Sequence, residues 1–142
     1  MSAILVINGP NLGLLGSREP HLYGTRTLQE VMDDLSGHFP DARIDHYQSD
    51  LEGELITAIH GAAGKYVGIV LNPGGYGHTS VALRDAVAAS KVPVIEVHLT
   101  NLLAREPFRH VSLVGGVCIG SIMGLGAAGY RWAAAHFLEP AA

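Results

Sequence analysis

The sequence predicts an α/β fold, doubly wound in three layers around a five-stranded parallel sheet. Three observations carry that prediction. Strand-like and helix-like segments alternate five times along 142 residues. The segments around Ile4–Ile7 and 67–71 are apolar without alternation, the pattern of strands buried on both faces. No repeat of 20–50 residues and no low-complexity linker divides the chain, so residues 1–142 read as one domain.

Strand one covers residues 3–8. A long loop follows, and then a helix over 27–39, where Leu28, Val31, Met32, Leu35 and Phe39 recur at helical spacing. Thr27 with Glu30 forms a capping box at its start, and Pro40 stops it. Strand two, 43–48, alternates in polarity and reads as an edge strand. Ser49 with Glu52 suggests a second capping box, ahead of a helix whose apolar stripe is Leu51, Leu55, Ile56 and Ile59. Strand three, 67–71, runs into the glycine-rich turn 72–80, which opens a helix over 80–90. Pro93 precedes strand four, 94–98. A polar loop, 99–110, leads to a Gly-rich stretch in which a fifth strand is expected near 117–123 and a last helix over 127–138. The size and element order are flavodoxin-like.

Composition narrows the functional classes. Charged residues are 15% of the chain, against about 25% in ordinary soluble domains. So few charges leave surface for other subunits to cover, and a homo-oligomer is expected. The net charge is −4, with no basic run, which argues against a nucleic-acid partner. No apolar stretch is long and Gly-free enough for a membrane span. The N-terminal stretch lacks a basic region, so no signal peptide is expected. The lone Cys118 cannot close an internal disulfide, which fits a reducing cytoplasm. Its apolar neighbours suggest a buried structural thiol.

In doubly wound folds ligands bind beyond the carboxyl ends of the strands. Three segments meet there: the loop 8–24, the turn 72–78 and the loop 98–109. The first is far longer than the usual two to six residues, and loops of that kind are commonly functional. Neither GxGxxG nor GxxxxGK[ST] is present, so no dinucleotide or triphosphate cofactor is expected. The eight His residues show no metal-ligand spacing, so no metal is expected. What remains is acid–base chemistry on small molecules. The candidate groups are Asn11, Arg18, Tyr23, His78, Asp85, Glu96, His98, Arg105 and Arg109. Glu96 and His98 stand at i and i+2 on one strand, so they share a face. The carboxylate can then orient the imidazole and favour its charged form, as a general acid requires. A histidine merely hydrogen-bonded at a strand end is the alternative. Tyr23 is a packing aromatic or, if a guanidinium from Arg18, Arg105 or Arg109 lies beside it, a base.

Several stretches together carry a family resemblance. They are Asn8-Gly9-Pro10-Asn11-Leu12, Leu15-Gly16, Arg18-Glu19-Pro20, Tyr23-Gly24, Gln48-Ser49, Glu52-Gly53, Asn72-Pro73-Gly74 and His78-Thr79-Ser80. Glu96-Val97-His98-Leu99, Arg105-Glu106, Phe108-Arg109-His110, Gly124, Gly126 and Gly129-Tyr130 complete the set. In this order, over nearly the whole chain, they resemble the type II 3-dehydroquinate dehydratases.

The resemblance implies dehydration of 3-dehydroquinate to 3-dehydroshikimate through an enolate, without metal or organic cofactor. It implies that Tyr23 as tyrosinate is the base and His98 the acid. Arg18 is implied as a lid arginine, Asn11 as a support for the enolate through a water, and Glu96 as the partner of His98. Asn72, His78 and Arg109 are implied as binders of substrate hydroxyls, and the backbone N–H groups of Leu99 and Thr100 as a carboxylate cradle. Asp85 is implied to reach a neighbouring subunit's site in a homododecamer, a tetramer of trimers. The reaction is shared by the shikimate route to aromatic compounds and by quinate breakdown. The chain departs from the usual family residues at Gly13, Asp50, Gly75, Gly77 and Thr100. Gly75 and Gly77 are expected to loosen the turn that carries Asn72 and His78. Two competing functions are an anion-binding module that uses the 72–80 turn and an inactive structural oligomer.

Overall fold

A computed structural model describes residues 1–140. Strands β1 (Ala3–Asn8), β2 (Arg43–Gln48), β3 (Gly68–Asn72), β4 (Val94–His98) and β5 (Gly120–Met123) form one parallel sheet. Their order is β2-β1-β3-β4-β5. The helices are α1 (Pro20–Tyr23), α2 (Leu28–His38), α3 (Glu52–Gly61), α4 (Tyr76–Thr79), α5 (Val81–Ala89) and α6 (Ala128–Leu138).

The pleat sorts β1 between two cores. Ile4 and Val6 pack with α2 and α6 on one face of the sheet. Leu5 and Ile7 pack with α3 and α5 on the other. This two-sided burial is why the strand shows no polar alternation. β2 is an edge, as its mixed sequence predicts, and none of its residues is fully buried.

The Thr27–Glu30 capping box forms: Thr27 Oγ1 accepts from Glu30 N at 3.1 Å, and Thr27 N donates to Glu30 Oε1 at 3.3 Å. The second expected box does not form. Ser49 Oγ accepts from Leu51 N and donates to Glu54, while Glu52 accepts from Ser80 instead. The α3 helix therefore begins after Leu51, without a side-chain cap. Ser80 divides the expected 80–90 helix from the turn before it, capping α5 through a bond from Leu83 N at 2.9 Å. β3 lies one residue later than expected, because Asn72 still pairs with Asn8 of β1. β5 is shorter than expected, because Gly115–Val117 turn into a 3-10 helix.

Candidate active site

The carboxyl ends of β1, β3 and β4 open into one cleft of about 100 Å³. The long loop after β1 is folded rather than open. Leu12–Leu14 make a 3-10 turn and Pro20–Tyr23 a helical turn, with Leu12 and Leu15 buried in the core. Asn11 adopts left-handed backbone, φ 68°, and its N–H donates to Asp50 Oδ1 at 2.9 Å. Gln48 reaches the same region, donating to Gly9 O at 3.1 Å and to Asp50 Oδ1 at 3.2 Å.

The loop places Tyr23 on the cleft wall between two guanidinium groups. Arg105 donates to the Tyr23 hydroxyl at 2.8 Å and to Thr100 Oγ1 at 3.3 Å. The Arg18 guanidinium lies over the Tyr23 ring, 4.9 Å from its centre. One cation therefore meets the phenol at its oxygen and the other over its ring.

His98 leaves the end of β4 with Glu96 beneath it. His98 Nε2 is 3.0 Å from Glu96 Oε2, and the two side chains are 6% and 1% exposed. The ring N–H is not aimed squarely at that oxygen, so the contact is an ion pair rather than a well-aligned hydrogen bond. Burial alone would push the Glu96 carboxyl up. The close approach and charge of His98, joined by the hydroxyls of Ser112 and Ser121, outweigh burial and hold it below the usual carboxylate value. The His78 ring stacks on His98 with centres 5.8 Å apart, and His78 Nδ1 lies 2.8 Å from the Val111 carbonyl.

Asn72 closes the floor. Its Nδ2 donates to the Tyr130 hydroxyl at 3.0 Å, and its Oδ1 accepts from Gly74 N at 3.2 Å. Tyr130 in turn donates to Asn8 Oδ1 at 2.5 Å, and the ring is fully buried. A buried phenol between two amides fixes which face each amide presents. The turn beyond Asn72 is held, not loosened, at Gly77. Gly77 is buried, its carbonyl accepts from Leu113 N at 2.8 Å, and a Cβ there would stand 2.8 Å from Pro73 Cγ. Close packing on Pro73 explains the glycine.

The cleft thus gathers Asn11, Arg18, Tyr23, Asn72, His78, His98, Leu99, Thr100, Arg105 and Arg109, with Glu96 directly behind His98. Asp85 is not among them: it is exposed on α5. Arg109 is turned toward Glu106, 2.5 Å away. A larger groove of about 760 Å³ runs along β2 and α3, but none of the expected site residues lines it. The convergent polar groups lie in the smaller cleft, not in this groove. Ser112, Ser121 and the role of Tyr130 were not foreseen. Their partners lie 16, 25 and 58 or more residues away, which local patterns do not reveal. The one signal that could have singled out Tyr130 is the rule that a buried tyrosine hydroxyl needs a partner.

Residues 2–138 match the family described as dehydroquinase class II. The chain belongs to that family. It is 53% identical over 138 residues to "3-dehydroquinate dehydratase 2" of Pseudomonas putida, covering 96% of this chain and 93% of that one. It is 50% identical over 142 residues to "3-dehydroquinate dehydratase" of Bacillus subtilis, covering 98% and 95%. It is 48% identical to "Catabolic 3-dehydroquinase" of Emericella nidulans over 136 residues, 94% of this chain and 89% of that one. Among solved structures, the type II dehydroquinase of Butyrivibrio crossotus superposes with a TM-score of 0.93 at 41% identity, covering 96% and 97% of the two chains. This dehydroquinase is thus an enzyme of the hydro-lyase class, on the flavodoxin-like fold its sequence predicts.

Proposed function

We propose that the cleft eliminates water from 3-dehydroquinate to give 3-dehydroshikimate, with Tyr23 as base and His98 as acid. The single observation that carries this reading is the Arg105 N–H bonded to the Tyr23 hydroxyl, across the same cleft from the His98–Glu96 pair. Tyr23 as phenolate takes the proton alpha to the ketone, and the electron pair is held as an enolate. Arg105 and Arg18 stabilise the phenolate before the step, when the charge is on its oxygen. Asn11 supports the enolate through a water. Collapse of the enolate expels the hydroxyl as His98, an imidazolium paired with Glu96, gives it a proton. One proton is taken and one is given, so the elimination releases one water. Return of the Tyr23 proton to His98 resets the site.

Substrate orientation falls to the remaining groups. Asn72, His78 and Arg109 bind hydroxyls, and the backbone N–H groups of Leu99 and Thr100 at the end of β4 cradle the carboxylate. Asp85 serves a neighbouring subunit's site, in keeping with its exposure on α5, away from its own cleft. The assembly is a homododecamer in the cytoplasm. Leu103, Phe108 and Val111 beyond the cleft are each more than 60% exposed in the single chain, and apolar surface of that kind favours burial by other copies. The reaction serves aromatic biosynthesis or quinate breakdown. The test is to add 3-dehydroquinate and follow the absorbance of the conjugated enone product. Turnover without added metal or cofactor supports the reading, and no signal at high enzyme concentration refutes it.

A further inference from the structure

Glu96 is held by more than its histidine. The Ser112 hydroxyl donates to Oε2 at 2.5 Å, and the Ser121 hydroxyl donates to Oε1 at 2.8 Å. Ser121 stands opposite Glu96 in the β4–β5 register, so the two side chains share a face. Ser112 comes from the chain beyond the cleft, and its Oγ accepts the Gly115 N–H at 3.0 Å. With that oxygen accepting from the backbone, the hydroxyl hydrogen is free to serve the carboxylate. Gly115 leaves the space for this arrangement: a Cβ there would stand 2.8 Å from Glu96 Oε1 and 3.1 Å from Ser112 Oγ.

We propose that Ser112 and Ser121 are positioning residues that keep Glu96 ionised beneath His98, so that His98 keeps its counter-charge down to low pH. A carboxylate this deeply buried is costly unless donors surround it. Here one oxygen is shared by His98 and Ser112, and the other is held by Ser121. The other titratable groups facing the pair are His78, stacked on His98, and the nearby Cys118, whose thiol burial pushes up to about 12, with the Glu96 charge adding to the shift. That thiol is uncharged throughout the working range. If Glu96 takes up a proton, His98 loses its counter-charge and holds its own proton less tightly. Each serine removed makes Glu96 easier to protonate, so the lower ionisation step of the pair moves to higher pH.

The test is histidine-ring ¹³Cε1 NMR as a function of pH. At His98 this signal senses both its own ionisation and that of Glu96, and a His98→Asn sample assigns it. Wild type, Ser112→Ala, Ser121→Ala and Ser121→Thr are compared. In each alanine variant the lower step moves up by about one pH unit, the size of effect expected for one lost donor to a carboxylate. Ser121→Thr, which keeps the hydroxyl, leaves the step where it is in wild type. A lower step unchanged in both alanine variants overturns the proposal. A step that moves as far in Ser121→Thr as in Ser121→Ala overturns it as well, because the hydroxyl is then not what holds Glu96.

Discussion

Arg105→Gln tests whether the Tyr23 oxygen depends on its guanidinium. The Arg105 side chain is 10% exposed and its N–H donates to the Tyr23 hydroxyl at 2.8 Å, so solvent does little to weaken the bond. A hydrogen bond to a charged group contributes about 1.5–3 kcal/mol. At about 1.4 kcal/mol per tenfold, its loss lowers kcat/KM by roughly 10- to 150-fold. The fold should survive, because Gln keeps the first two methylenes of the stem and the His110 contact is to the Arg105 backbone carbonyl. The assay is the enone absorbance with 3-dehydroquinate. In a Tyr23→Phe background the same substitution should cost far less, because the oxygen it serves is gone. Two results would refute the reasoning: a loss under threefold in Arg105→Gln, or equal losses in the two backgrounds.

Two further outcomes are expected. His98→Ala should lower kcat by at least about 10²-fold, the lower end of what proton transfer contributes, and a loss under tenfold would point to His78 as the acid. Cys118 gives a pH dependence of stability. Its thiol is raised from the ordinary 9.0 to about 12 in the folded chain, so stability is at its full value below about pH 9. It falls as the pH rises from 9 toward 12, where the unfolded thiol ionises and the folded one does not. In urea unfolding between those limits, Cys118→Ala should show a shallower decline than wild type, and identical slopes would contradict the buried-thiol account.

Much of this was readable from local pattern. The unbroken apolar run at Ile4–Ile7 and the Thr27–Glu30 pair each depend on residues a few positions apart, and both appear in the structure as expected. The convergence of three loops followed from the parallel sheet alone, before any side chain was placed. The i, i+2 spacing of Glu96 and His98 gave their contact directly. The second capping box and the expected loosening at Gly77 went astray because partners distant in sequence decide both. Ser49 and Glu52 have the spacing of a capping box, but Glu52 is taken by Ser80 from another helix. Arg105 could be named as a candidate neighbour of Tyr23 but not chosen over Arg109, because 82 residues separate it from the hydroxyl it serves. Gly77 read as a source of looseness, and the sequence could not disclose that Pro73 packs against it. Asp85 lies outside the cleft of its own chain, so its proposed role belongs to the assembly.

The measurement closest to the centre of the account is kcat of Tyr23→Phe with 3-dehydroquinate, with the folded state checked by circular dichroism. The substitution removes one oxygen from a half-buried ring and leaves its packing in place. A folded protein is expected, with turnover reduced by at least the factor of about 10²–10⁴ that proton transfer contributes. A folded Tyr23→Phe that turns over at close to the wild-type rate would contradict it.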